Sequence, residues 1–184
     1  MRLNGENLKL EWFNPIAQMA DEEYSFLDNF IKTKTTGDIL EIGQGGSTVI
    51  LLDATKDTDR MVYSIDMKFK LKDTMKYLPL SYVERLNFIQ ENSNNIHLKE
   101  KFGCILIDGN HTFQAVRKDT MNFWNNLEDN GYVLFHDYGL QPGVTEFVDD
   151  WIMRFQQATL IQQKCNLIVL QKLSWKSIKK TMSI

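Results

Sequence analysis

The chain has only two cysteines, no long apolar run and no excess of positive charge, and each absence excludes a class of protein. Cys104 lies inside an apolar segment and Cys165 just before another, without the spacing of a metal-binding cysteine cluster. Free thiols are therefore expected, in a reducing compartment, which predicts a cytoplasmic protein. No segment approaches the roughly 20 apolar residues of a membrane span. Residues 1–10 lack the apolar centre of a signal peptide.

The charge pattern argues against nucleic acid as a partner. The net charge is −3, and no basic run resembles a groove that follows a phosphate backbone. Repeats, linkers and low-complexity segments are also absent, so the 184 residues are expected to form a single domain. We divide it into an N-terminal helical segment (1–36), a ligand-binding core (37–172) and a basic tail (173–184).

What the sequence does contain is a glycine-rich turn between an apolar segment and a predicted helix. The apolar residues at 39–42 fit a buried parallel strand. Gly43, Gly45 and Gly46 then form a turn without Cβ atoms, which lets a ligand approach the backbone. Ser47 is a favourable N-cap for the helix that follows. This order predicts a site where free backbone N–H groups meet a polar ligand.

Two acids and one missing glycine narrow the class of ligand. The third glycine of the dinucleotide-binding fingerprint would fall at Thr48 and is absent. Glu41 would repel a pyrophosphate and would suit a cationic or amino-bearing ligand. Asp66 follows Gly43 by 23 positions, near the offset of about 20 at which such folds place a ribose-binding acid. These features disfavour an NAD-dependent oxidoreductase, which remains an alternative together with a non-catalytic cofactor-binding or scaffold protein.

Alternating strand and helix patterns predict an α/β fold. Five apolar segments are typical of strands: 39–42, 61–65, 87–90, 103–107 and 132–135. A helix is predicted near residues 70–77, ending before Pro79. A second is predicted along the face from Val116 to Leu127, ending at Asn130, and a third over residues 144–155. Segments 159–162 and 167–170 predict a closing hairpin. We therefore expect a doubly wound, mainly parallel, seven-stranded sheet with a C-terminal antiparallel hairpin.

Polar residues follow each of the five predicted parallel strands. These groups are Glu41 with the glycines, Asp66, Glu91 to Ser93, Asp108 with His111, and His136 with Asp137. Because ligands bind outside the carboxyl ends of such strands, the residues are expected to meet at one site.

Four segments in this order resemble class I S-adenosylmethionine-dependent methyltransferases: Glu41–Thr48, Ser64–Asp66, Ile107–His111 and Gly131–Asp137. The last two resemble the small-molecule O-methyltransferase branch that includes macrolide-sugar and cephalosporin-biosynthesis enzymes. The resemblance covers residues 39–170. It implies a Rossmann-like fold, S-adenosylmethionine as cofactor and a hydroxyl of a small molecule as methyl acceptor.

The resemblance also implies which residues bind the cofactor: Glu41, Gly43, Gly45, Asp66, Asn92 and Ser93. The two glycines would lie against its methionine part, with Glu41 near the amino group. Asp66 would accept both ribose hydroxyls, and the last two residues would lie beside the adenine.

By the same resemblance, Asp108, His136 and Asp137 would hold a divalent metal, and Asp108 and His111 would be catalytic, with His111 as the general base. His136 departs from the family, because the metal-binding members carry Asp or Glu there. Mg²⁺ prefers oxygen ligands, whereas a histidine suits Mn²⁺, Fe²⁺ or Zn²⁺, so the metal requirement stays open. The short chain has no long insertion for a substrate lid, which favours a small acceptor or a homo-oligomer that completes the pocket.

Overall fold

The computed structural model describes residues 2–3, 6–7, 19–73, 76, 78–154 and 157–174. Most of the N-terminal segment before residue 19 and the predicted basic tail from residue 175 onward lie outside these ranges. In chain order the elements are β1 (Arg2–Leu3), β2 (Glu6–Asn7), α1 (Asp21–Lys34), β3 (Asp38–Ile42), α2 (Gly46–Ala54), β4 (Val62–Asp66), α3 (Leu80–Val83), β5 (Leu86–Gln90), a 3-10 turn (Ser93–Asn95), β6 (Phe102–Ile107), α4 (Phe113–Phe123), β7 (Leu127–Phe135), α5 (Pro142–Arg154), β8 (Ala158–Lys164) and β9 (Leu167–Lys172).

Seven of the strands form one sheet in the order β5-β4-β3-β6-β7-β9-β8. Strands β3 to β7 run parallel, and β9 runs antiparallel to both β7 and β8. The chain enters this sheet at β3, builds outward through β4 to β5 and then returns to the other side of β3 as β6. The predicted doubly wound, mainly parallel α/β fold with a closing hairpin is therefore confirmed.

Apolar side chains cover both faces of the sheet. Every residue of β6 is buried, as a central parallel strand requires. One apolar cluster packs α1 and α2 against one face, with Leu27 and Ile50 fully buried. The other packs α4 and α5 against the opposite face, through Phe123, Phe147 and Trp151. No described helix is long and apolar enough to cross a membrane.

The helix predicted near residues 70–77 is wrong over the part that the structure describes. Residues 70–73 form a turn, and residues 74, 75 and 77 lie outside the described ranges. The backbone N–H groups of Lys70 and Leu71 both donate to Oε1 of Gln44, from the glycine-rich turn. This long-range contact ties the turn at residues 70–73 to the glycine-rich turn. Pro79 begins a helix rather than ending one, because it lies at the N-cap of α3.

The helix face predicted to reach Leu127 ends earlier. α4 stops at Phe123, and Leu127 opens β7. Asn130 lies within this strand, in the left-handed region with φ 64°. A Cβ on Gly131 would lie 3.0 Å from the carbonyl oxygen of Gly103. Although the spacing of its apolar residues fits a helix, this segment forms a strand because it pairs with β6.

Candidate functional site

A cavity of about 620 Å³ opens at the carboxyl ends of β3, β4, β5 and β6. This is the place where the strand order reverses, and open α/β sheets bind ligands there. Its lining includes residues that follow each of these strands: Gly43, Asp66, Asn92, Ser93, Asp108 and His111. Of the predicted cofactor-binding residues, Glu41 and Gly45 do not line it.

The glycine-rich turn presses directly against the end of β6. Gly43 has φ +96°, and a Cβ there would lie 2.1 Å from the carbonyl oxygen of Asp108. Gly45 is the N-cap of α2, and its N–H donates to Oγ1 of Thr48. The turn thus brings Gly43 to the cavity, while Gly45 contributes to the start of the helix.

Glu41 is fully buried below the turn. Its carboxylate accepts hydrogen bonds of 2.6 Å from the hydroxyls of Ser47, Thr48 and Ser64, and so joins β3, α2 and β4. Burial raises the pKa of Glu41 to about 7, although these three hydroxyls favour the charged form. The side chain does not face the cavity, so the geometry does not support the predicted contact with the cofactor's amino group.

The raised pKa predicts a pH-dependent stability. The folded protein binds a proton on Glu41 more tightly than the unfolded chain does. The contribution of this proton binding at Glu41 to the free energy of unfolding is therefore complete below about pH 4.5. It is lost as the pH rises through about 7. Relative to Glu41→Gln, the free energy of unfolding of the wild type should fall over this interval by up to about 1.4 kcal/mol per pH unit.

Urea unfolding at half-unit pH steps measures this difference. Glu22, an exposed acid in the first turn of α1, provides the control, because Glu22→Gln should leave the pH profile unchanged. Parallel profiles for the wild type and Glu41→Gln would show that Glu41 titrates normally.

Asp66 lies at the end of β4 with both carboxylate oxygens engaged. Oδ2 accepts from the N–H of Gln44 at 2.9 Å and pairs with Nζ of Lys70 at 2.8 Å. Oδ1 accepts from the N–H of Lys68. Lys70 also lines the cavity and was not anticipated from the sequence. A ligand hydroxyl that binds Asp66 would share this carboxylate with the ammonium group of Lys70.

Asn92 and Ser93 line the cavity at the turn that follows β5. Ser93 Oγ donates to Oδ1 of Asp119 at 2.5 Å, and Asp119 is only 3% exposed. Burial raises the pKa of Asp119, although the hydrogen bond from Ser93 opposes the shift. Asp119 was not predicted as a site residue from the sequence. Its signal is an acid on the apolar face of α4 that Val116 and Phe123 define.

At the ends of β6 and β7, three side chains converge: Asp108, His111 and Asp137. Their ligand atoms lie within 4.8 Å of one another. His111 Nε2 is 3.1 Å from Oδ2 of Asp137 and 3.5 Å from Oδ1 of Asp108. This nitrogen is buried, and neither contact has the angles of a hydrogen bond. Asp137 adopts a left-handed conformation, with φ 62°, that turns the chain at the site.

The charges in this cluster support one another. Asp108, and then Asp137, hold the pKa of His111 above its usual value, although partial burial opposes this shift. Burial works against the charged form of Asp108, but the imidazoles of His111 and His136 outweigh it and lower the pKa of Asp108. At neutral pH Asp108 is therefore a charged carboxylate beside two imidazole rings.

His136 lies behind the cluster, 3% exposed, with a carboxylate at each ring nitrogen. Nδ1 is 3.0 Å from Oδ1 of Asp108, and Nε2 is 3.4 Å from Oε2 of Glu23. Burial lowers the pKa of His136, but Asp108, Asp137 and Glu23 outweigh burial and raise it to about 9. A ring that donates from both nitrogens has no lone pair for a metal. The role of His136 as a metal ligand stays a prediction, which this geometry disfavours.

Glu23 is a second residue near the cluster that was not predicted from the sequence. It projects from α1 and is 2% exposed. Its carboxylate also accepts from the backbone N–H groups of Ala20 and Asn166. Glu23 is 113 residues from His136 along the chain, so no local pattern signals their contact.

The arrangement combines a ligand cavity with a polar cluster at one end. The cavity volume is within the range of about 300–1,000 Å³ that is usual for small-molecule sites. Two carboxylates and an imidazole can orient a hydroxyl, accept its proton or bind a divalent cation.

Comparisons with known proteins agree with this geometry. A family model described as a methyltransferase domain matches residues 40–138, which contain the glycine-rich turn and the Asp108–His111–Asp137 cluster. The search of curated proteins finds no match.

Three solved structures illustrate the likeness in fold. The O-methyltransferase NovP has 15% identity and a TM-score of 0.65, over 83% of this chain and 80% of its own. The MycE methyltransferase from the mycinamycin biosynthetic pathway, in complex with Mg, SAH and mycinamycin VI, has 16% identity and a TM-score of 0.59, over 89% and 53%. An rRNA methylase from Streptococcus thermophilus has 17% identity and a TM-score of 0.60, over 86% and 100%.

At these identities the solved structures show a shared fold. The family match extends over 99 of the 184 residues, which is more than half of the chain. The protein therefore belongs to the methyltransferase domain family and is a class I S-adenosylmethionine-dependent methyltransferase.

Proposed function

We propose that this enzyme transfers the methyl group of S-adenosylmethionine to a hydroxyl of a small molecule. The observation that carries the proposal is the position of the Asp108–His111–Asp137 cluster at the edge of the cavity, where Asp108 and His111 are part of the lining. The fold shared with the O-methyltransferase NovP supports transfer to oxygen. The family match does not favour an NAD-dependent oxidoreductase.

The reaction is an in-line displacement at carbon, in which the acceptor oxygen bonds to the methyl carbon as the carbon–sulfur bond breaks. Catalysis then consists of positioning the two reactants and removing the proton of the hydroxyl. Neutral His111 would accept this proton on Nε2, which faces both carboxylates. Asp108 and Asp137 would stabilise the imidazolium that forms.

The same cluster suits a divalent cation. The buried Nε2 of His111 faces two carboxylate oxygens without hydrogen-bond alignment, an arrangement that a bound cation between them would explain. Asp108 and Asp137 would hold Mg²⁺ through oxygen, and His111 as a third ligand would favour Mn²⁺, Fe²⁺ or Zn²⁺. When bound, the cation lowers the pKa of the acceptor hydroxyl. The Mg in the MycE complex supports a metal requirement in a protein of this fold.

These two roles of His111 exclude each other. The neutral ring has one lone pair on Nε2 if Nδ1 carries the proton, so that nitrogen either binds the cation or takes the proton. Calorimetric titration with Mn²⁺ of the wild type and of His111→Gln separates them. Loss of Mn²⁺ affinity in the variant would assign His111 as a ligand, and unchanged affinity would leave it free to act as the base.

Asp66 provides the direct test of the cofactor site. We expect the wild type to bind S-adenosylmethionine with micromolar affinity in calorimetry, with and without Mg²⁺. Asp66→Asn should weaken binding by about 10- to 100-fold, because the ribose hydroxyls lose a charged acceptor. The control is Asp73→Asn, since Asp73 is 93% exposed and outside the cavity lining. Equal affinity in all three proteins would exclude Asp66 from the site, and binding of NAD alone would favour an oxidoreductase.

The acceptor class is tested by transfer of labelled methyl groups from S-adenosylmethionine. A sugar hydroxyl, a catechol-like phenol and a carboxylate all suit the cluster. The net charge of −3 gives little attraction for RNA, although the fold is shared with an rRNA methylase. A panel of small hydroxyl compounds should therefore become labelled, and ribosomal RNA should not. Labelling of RNA alone would contradict the small-molecule proposal.

A further inference from the structure

Glu23 is a buried acid of α1 whose burial the helix itself does not require. It is 2% exposed, and its Oε2 accepts from the backbone N–H of Ala20 at the start of α1. An exposed glutamate could accept the same hydrogen bond without losing its hydration. Burying a carboxylate costs free energy unless a partner compensates for the lost water. Among the described side chains, only His136 is paired with this carboxylate, with Nε2 3.4 Å from Oε2.

His136 lies between the two carboxylates of the cluster. Its Nδ1 is 3.0 Å from Oδ1 of Asp108 and 3.6 Å from Oδ2 of Asp137. Two carboxylates that converge repel each other, and a donor or a cation between them offsets the repulsion. This ring nitrogen has that position. The backbone N–H of His136 donates to the carbonyl oxygen of Ile107, which fixes its main chain to β6. The orientation of the ring depends in addition on the contact at Nε2, which Glu23 provides.

Glu23 also reaches the cluster through the main chain. Its Oε1 accepts from the N–H of Asn166 at 2.8 Å, in the turn between β8 and β9. The carbonyl oxygen of Asn166 in turn accepts from the N–H of Tyr138, the residue after Asp137. Asp137 has a φ of 62°, a conformation that few residues with a side chain adopt, so a fixed neighbour helps to hold it. One oxygen of Glu23 is thus connected to Asp108 and the other to Asp137.

We propose that Glu23 is a positioning residue for methyl transfer, which acts through His136 to hold the two carboxylates of the cluster in front of His111. This inference rests on the proposed function, because it takes the Asp108–His111–Asp137 cluster as the site that activates the acceptor hydroxyl. Without the Glu23 carboxylate, Nε2 of His136 faces no anion, and the ring is free to turn away from the two aspartates. The aspartates then move apart and lose their orientation toward Nε2 of His111.

The rate of methyl transfer tests this role, measured with the hydroxyl compound that the wild type labels fastest. Glu23→Gln should lower the rate about 10- to 100-fold, the usual effect of removing a group that orients a residue of the site. The affinity for S-adenosylhomocysteine in calorimetry should change by less than about threefold. In a His136→Gln background, Glu23→Gln should lower the rate by no more than about threefold, because the ring that transmits its effect is gone. The control is Glu22→Gln, an exposed acid in the same turn of α1, which should keep the wild-type rate.

Hydrogen exchange of the His136 ring provides a readout that needs no acceptor. The chain has three histidines, so the ring signals of the ¹⁵N-labelled protein can be assigned. In the wild type the proton on Nδ1 should be protected from exchange with water, because it is buried between two carboxylates. In Glu23→Gln it should exchange at least about 10-fold faster relative to the backbone amide of Val133 in β7, which reports global opening.

The possible outcomes separate this inference from the proposed function. The role of Glu23 alone would be overturned by a wild-type rate in Glu23→Gln, by an undiminished loss in the His136→Gln background, or by an unprotected ring proton in the wild type. A wild type that labels no hydroxyl compound would overturn the proposed function and this inference with it. Thermal unfolding checks that each variant is folded, and exchange in the wild type tests the inference even where a variant is not.

Discussion

Replacing Gly43 by alanine is expected to abolish cofactor binding and to lower the free energy of unfolding by roughly 3 kcal/mol or more. The residue has φ +96°, which strains any L-residue with a side chain. A Cβ would also lie 2.1 Å from the carbonyl oxygen and 2.6 Å from the carbonyl carbon of Asp108. Both are backbone atoms at the end of β6, so the overlap is relieved only by separating the two strand ends that form the cavity.

Gly139 provides the matched control, because it separates strain from overlap. It also has a positive φ, +82°, but a Cβ there would meet nothing within 4 Å. Gly139→Ala should therefore cost only the conformational term, about 1 kcal/mol, and should leave cofactor binding intact. Urea unfolding and calorimetry with S-adenosylmethionine measure both effects. Equal losses in the two variants would show that φ alone, and not the contact between the turn and Asp108, sets the requirement for glycine.

The second large effect is expected at His111. His111→Gln should lower the rate of methyl transfer by about 10²- to 10⁴-fold, the usual contribution of a general base. Cofactor affinity should change by less than about threefold, since the cofactor contacts proposed here involve other residues. The side chain is 30% exposed, so the variant is expected to fold.

The control and the pH profile make this prediction specific. His97 is exposed and does not line the cavity, so His97→Gln should keep full activity. Because Asp108 raises the pKa of His111 and the base must be neutral, the wild-type rate should increase as the pH rises through a value above 6.5. Equal losses of turnover and cofactor binding in His111→Gln would contradict a role in the chemical step.

The strands were the most predictable part of the fold. β3 and β6 are buried along nearly their whole length, so their apolar runs identify them without knowledge of their neighbours. At residues 70–73 the chain forms a turn where a helix was predicted, and Gln44 binds the N–H of Lys70 across 26 residues of chain. Leu127 was assigned to a helix because its spacing fits one, but pairing with β6 extends β7 through it.

Some features of the candidate site could likewise be predicted from the sequence, and others could not. Asp66, Asp108 and His111 were predictable because each follows an apolar strand, and the parallel topology brings strand ends together. The orientation of Glu41 could not be predicted, because its carboxylate turns away from the cavity toward three hydroxyls. The orientation of such a side chain depends on which hydrogen-bond donors surround it after folding.

The sequence by itself determined the α/β class, the glycine-rich turn and the family, because these depend on local patterns and motifs. It also predicted Gly43, Asp66, Asn92, Ser93, Asp108 and His111, which line the cavity, because the carboxyl ends of parallel strands lie at one edge of a sheet. Only the tertiary structure decided which groups are partners. It pairs His136 with Glu23 from α1, and Asp119 with Ser93. These contacts join residues far apart in the chain, and their geometry depends on how helices pack on the sheet, which no spacing in the sequence encodes.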